Sequence, residues 1–85
     1  MAIMVTLKLF ASLTQHLPPD ASGQQAMLEL AHGTTPADVI HELHIPPEKA
    51  HLVLVDGIYL SPEERSVRVL AEGEVLAIWP LVAGG

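Results

Sequence analysis

The chain has 85 residues, 49% hydrophobic and 16% charged, which is enough for one small core and leaves no room for two. Ten acids against four bases give a net charge of −6, which argues against nucleic-acid binding: Lys8, Lys49, Arg65 and Arg68 are too few and too scattered to make a basic face, and an acidic domain suits a partner with a basic docking surface. With no cysteine, no apolar run of bilayer length and no signal-peptide pattern, thiol chemistry, disulfides and a membrane role drop out, and a cytoplasmic protein is expected.

The first element is a strand in MVTLKLFASL, where Val5, Leu7 and Leu9 alternate with Thr6 and Lys8. Residues 11–23 form a turn region marked by Pro18, Pro19, Asp20, Ser22 and Gly23, with a short helical turn around Leu13. A second strand follows, with Ala26, Leu28 and Leu30 on one face, and it pairs antiparallel with the first. Thr35 then caps a helix, with Pro36 at its first position and Asp38 three residues past the cap. Ala37, Val39, Ile40 and Leu43 make its apolar stripe, and Ile45-Pro46-Pro47 ends it.

In HLVLVDGIYL, Asp56-Gly57 between two apolar segments predicts a hairpin with a two-residue turn, because both central positions need positive φ. Ser61-Pro62-Glu63-Glu64 is a turn or a short helix. Glu72-Gly73-Glu74 turns the chain into a last strand, in which Val75, Ala77 and Trp79 alternate with Leu76 and Ile78. Both faces of that strand are apolar, so it belongs near the middle of the sheet. The order predicts an α+β fold, a mixed sheet with one main helix packed on one face, in the ubiquitin-like β-grasp roll arrangement. Residues 1–80 make the domain and residues 81–85 a flexible Gly-Gly tail.

The tail is the place for chemistry. Pro80 ends the last strand, and Leu81, Val82, Ala83, Gly84 and Gly85 extended would span about 17 Å, at roughly 3.3–3.6 Å each. Glycines without Cβ atoms thread a narrow channel. A terminal carboxyl titrates at roughly 3.3–3.7, so the Gly85 carboxylate is ionised at neutral pH and must be activated before it can donate an acyl group. The chain has neither a G-x-x-x-x-G-K-[ST] nor a G-x-G-x-x-G segment, so a separate enzyme must supply the nucleotide site. A terminal Gly-Gly can also be simply a frayed end.

Phe10, Leu60, Trp79 and Leu81 are the candidates for an exposed apolar patch that docks on a partner, against the alternative that Phe10 and Trp79 are ordinary core. Of the five histidines, His41 and His44 fall three apart on the helix and His51 follows soon after. Glu42 and Glu48 are near, but the order does not match H-E-x-x-H, and the imidazoles are expected at the surface or the helix end, with no metal. His16 and His32 lie in or beside loops.

Taken together, these residues resemble the MoaD/ThiS family of sulfur carriers over nearly the whole chain. VTLKLFASL resembles the family's first strand, and Gly33-Thr34-Thr35 its strand-to-helix corner. Leu70-Ala71-Glu72-Gly73-Glu74-Val75 resembles its Leu-x-x-Gly-Asp-x turn, with Glu74 where Asp is common. The ending WPLVAGG is the most specific match, with Leu81 where a second Pro is usual in the molybdopterin synthase small subunit.

The resemblance implies that Gly85 is adenylated by a MoeB-like or ThiF-like enzyme, which uses the ATP, and is then thiocarboxylated from a persulfide sulfur donor. It implies delivery of that sulfur through the large subunit of molybdopterin synthase or an equivalent acceptor enzyme, for molybdenum cofactor biosynthesis. The chain itself would hold no cofactor tightly and no catalytic apparatus. A ThiS-like carrier for thiamine or another thiolated metabolite, a ubiquitin-like modifier conjugated through Gly85, and a plain interaction module remain open.

Overall fold

Strand β1 (Ala2–Leu9) carries the alternation expected of it: Ile3, Val5, Leu7 and Leu9 are buried, and the residues between them are not. A computed structural model describes residues 1–81 and continues from β1 through β2 (Gln25–Ala31), helix α1 (Pro36–Glu42), β3 (Leu52–Val55), β4 (Ile58–Tyr59) and β5 (Val75–Trp79). The five strands form one mixed sheet in the order β2-β1-β5-β3-β4. β1 pairs antiparallel with β2 and parallel with β5, and β3 pairs antiparallel with both β5 and β4. The doubly apolar last strand is therefore central, as its composition predicts.

Register explains the core. Ala26, Leu7, Leu76 and Val55 stand in one row across four strands, and Leu9, Ile78 and Val53 in the next. Partners side by side in a sheet point to the same face, and all seven are buried. Val39 and Ile40 of α1 close over these rows, with Leu13, Ile45, Leu60 and Leu70 filling the margins. Burying each such Leu, Ile or Val side chain fully contributes roughly 1.5–3 kcal/mol. With no disulfide, that burial is the domain's main source of stability.

α1 begins as its residues dictate. Thr35 Oγ1 accepts from the Asp38 N–H at 3.2 Å, and Asp38 Oδ2 accepts from the Thr35 N–H at 3.0 Å, which completes a capping box. The helix stops at Glu42, short of the expected Ile45. His44 adopts φ +59°, and this left-handed residue turns the chain before the two prolines are reached. Val39 and Ile40 carry the buried stripe, while Ala37 and Leu43 are half-buried at its edges.

Asp56 (φ +51°) and Gly57 (φ +82°) make the β3–β4 turn with the predicted pair of positive φ angles. The turn region after β1 contains a 3-10 helix, Ala11–His16, with Leu13 buried. The Ser61–Glu64 region leads into another, Glu64–Ser66. No helix among the described residues is long and apolar enough to cross a membrane.

Candidate functional site

α1 covers one face of the sheet; the other face carries the residues that alternate with the core. Thr6, Val75 and Met27 share one row there, and Lys8, Ala77, Leu54 and Tyr59 the next. Past them lies a pair from two chain segments. Trp79 is the last residue of β5, and Phe10 follows directly after β1, where its N–H donates to the Ile78 carbonyl at 3.3 Å. The two rings stack with centroids 4.3 Å apart and planes 2° from parallel. Both are half-buried. Trp79 is thus neither fully core nor free: one face of its ring meets Phe10, and a minor part of its surface stays exposed.

Leu81, just past the strand, is 65% exposed. Leu60 corrects the sequence expectation. It is 5% exposed and belongs to the core, not to an interface patch. The reason is register: Tyr59 pairs with Leu54 on the open face, so Leu60, the next residue, points to the α1 side, with its N–H donating to the Val53 carbonyl at 2.9 Å. Tyr59, 52% exposed, takes the place expected of Leu60. The signal was in the sequence: Asp56-Gly57 sets the hairpin register, and buried Val53 and Val55 put Leu54 and Tyr59 on the opposite face. Met4 and Met27, both exposed, extend the open face and were not singled out from the sequence.

Val82, Ala83, Gly84 and Gly85, the rest of the predicted tail, lie outside the described residues. What the structure shows is how their root is held. The Trp79 carbonyl accepts from the His51 N–H at 3.0 Å, and β5 is flanked by β1 on one side and β3 on the other. At its start, Arg68 grips Glu74 through Nη1–Oε1 (2.6 Å) and Nη2–Oε2 (2.7 Å), and the Ala71 N–H donates to Glu74 Oε1 at 2.7 Å. The Arg68 guanidinium holds the Glu74 carboxyl below the usual carboxylate range; partial burial opposes this and the Ala71 N–H adds to it. Asp56 Oδ1 accepts from the Val75 N–H at 2.8 Å, so the β3–β4 turn also anchors this end.

Among the described residues, no group of three or more His, Cys, Asp and Glu side chains could hold a metal. His41, His44 and His51 are exposed.

A model of the ThiS family matches residues 7–85. The chain belongs to the ThiS family. Comparison with curated proteins gives no significant match. Solved structures show the same fold. The HVO 2177 protein of Haloferax volcanii superposes with a TM-score of 0.77 at 20% identity, covering 99% of this chain and 88% of that one. A candidate molybdopterin converting factor, subunit 1, from Pyrococcus furiosus gives 0.66 at 24% identity, covering 94% and 99%. SAMP1 from Haloferax volcanii gives 0.65 at 21% identity, covering 96% and 99%.

At those identities the likeness speaks for the fold. The family match adds the kind of protein, a ubiquitin-like β-grasp domain of the ThiS family, whose members in general work with adenylating and acceptor enzymes. In this ThiS-family chain the open sheet face and the tail root, Leu81, adjoin.

Proposed function

We propose that this protein is a sulfur carrier whose reactive group is the Gly85 carboxylate. The observation that carries the proposal is the delivery of the chain from the central strand, past the stacked Phe10–Trp79 pair, to an exposed Leu81. A rigid strand aims the tail, and an apolar surface beside it offers a partner its grip. Phe10, Tyr59, Trp79 and Leu81 form that docking surface; Leu81, Val82, Ala83 and Gly84 thread the tail into the partner.

The chemistry follows from the poor reactivity of a carboxylate. A Gly85 carboxylate oxygen attacks the α-phosphorus of ATP in a MoeB/ThiF-like adenylating enzyme, and pyrophosphate leaves. A donor persulfide attacks the acyl carbon and displaces AMP, giving an acyl disulfide. A second thiol cleaves its S–S bond, leaving the Gly85 thiocarboxylate and a disulfide. The thiocarboxylate then donates sulfur in an acceptor enzyme. The Gly-Gly ending and the Pro80 that precedes it favour the large subunit of molybdopterin synthase. Leu81 in place of a second Pro leaves a ThiS-like carrier for thiamine or another metabolite as the second reading.

The test is intact-mass measurement after incubation with ATP, an adenylating enzyme of this class and a persulfide donor. Exchange of one oxygen for sulfur adds about 16 Da, a covalent change of the terminus itself. An unchanged mass sinks the proposal, and ladders of conjugates on other proteins point to a modifier instead.

A further inference from the structure

On the α1 side of the molecule, away from the open face, lies a surface groove of about 670 Å³. Ile40, Pro47 and Pro62 line it, His41 and His44 stand on its lining as well, and so does Arg65. Arg65 is unusual for a cation. It is 9% exposed, yet among the described residues its side chain hydrogen-bonds only to backbone carbonyls, from Nη1 to Ala50 at 2.8 Å and from Nη2 to His51 at 3.0 Å. Nε is buried with no partner. Among the described residues the one ion pair is Arg68–Glu74, and none of their carboxylates neutralises Arg65.

A guanidinium has five N–H donors and is charged at any physiological pH. Two carbonyl dipoles hold it in place without cancelling its charge, and a buried charge without a counter-ion is costly. The groove is therefore an apolar trough with a positive charge in its lining, on a domain whose net charge is −6.

From this we infer that the groove is an interaction site for a partner protein's peptide segment, one that carries a carboxylate side chain beside apolar residues. The carboxylate answers Arg65, with the exposed imidazoles of His41 and His44 as further donors, and the apolar residues cover Ile40, Pro47 and Pro62. A peptide fits better than a small carboxylate. The groove is only partly enclosed, whereas small-molecule sites enclose most of their ligand. Its position matters too. The carbonyls that Arg65 holds belong to residues 50–51, and the His51 N–H bonds the last residue of β5. Arg65 thus ties the groove's lining, through residues 50–51, to the end of β5. That the segment belongs to the enzyme handling the tail rests on the carrier reading; the binding itself does not.

The test uses the full chain, 15N-labelled, titrated with the capped peptide Ac-Leu-Glu-Leu-NH2 and with its Gln counterpart. The expected result is saturable shifts of the Ile40, Ala50, His51 and Arg65 amides, with the Glu peptide binding about tenfold more tightly than the Gln peptide. Arg65→Met should abolish that preference. Because Arg65→Met removes two structural hydrogen bonds, the surface variant His41→Glu provides a second arm; it should weaken the Glu peptide and spare the Gln peptide. No saturable shift at these residues up to about 10 mM peptide, or equal affinity for the two peptides, overturns the inference. Neither result bears on the mass change at Gly85, so the two readings fail separately.

Discussion

Phe10 and Trp79 lie face to face, 4.3 Å between ring centroids and 2° from parallel, joining the end of β1 to the end of β5 where the tail begins. The pair is local packing that leaves both rings half-buried. Replacing Trp79 by Ala should therefore cost less than a fully buried aromatic does, about 1–3 kcal/mol. Urea unfolding of the W79A, F10A and double variants measures this. A coupling of about 0.5–1.5 kcal/mol between the two rings is expected. Additive effects of the two substitutions would mean that the stack contributes nothing.

Deleting Gly85, or replacing Gly84 with Trp, should abolish the mass gain and leave the thermal midpoint where it was. Among the described residues the core cluster runs from Ile3 to Ile78, and Leu81, the one tail residue described, is 65% exposed. A fall in Tm of more than about 4 °C, which corresponds to roughly 1 kcal/mol in a domain of this size, would show the tail to be structural.

Neighbours on β4 and just beyond it should behave oppositely. Leu60→Ala empties a core position and is expected to cost about 2–5 kcal/mol. Tyr59→Ala, on the exposed face, should cost under about 1 kcal/mol and instead weaken binding to the adenylating enzyme. Calorimetry of the free variants and titration against the enzyme separate the two effects. Equal stability losses would contradict the assigned register.

The Arg68–Glu74 pair predicts a pH dependence. The Glu74 carboxyl titrates lower in the folded chain than in the unfolded one, so its stabilisation is fully present above the unfolded value of about 4.3 and is lost as pH falls through the lower folded value. Glu74→Gln should thus destabilise at pH 7 by about 1–2 kcal/mol, for loss of a charged hydrogen-bond acceptor. The difference from wild type should shrink as pH drops below about 4. A gap between the two proteins that stays constant from neutral pH to pH 3 would rule out this origin.

The features legible in the sequence are local ones. Val5, Leu7 and Leu9 betray a strand by alternation. Thr35, Pro36 and Asp38 announce a helix start because the bonds they make span three residues. Asp56-Gly57 announces a turn because the two residues must take φ angles that few others tolerate. Even the central place of β5 could be read, since a strand apolar on both faces needs cover on both.

What the tertiary structure alone decided depends on residues far apart in the chain. Phe10 and Trp79, distant in the chain, meet only because β1 pairs with β5. Arg65, one of four scattered bases in the sequence, became a buried cation only when folding brought it to the carbonyls of Ala50 and His51. Periodicity and turn chemistry record what each residue asks of its immediate neighbours. Which distant residue answers a charge or faces a ring is set only when the strands pair, and no local pattern encodes that choice.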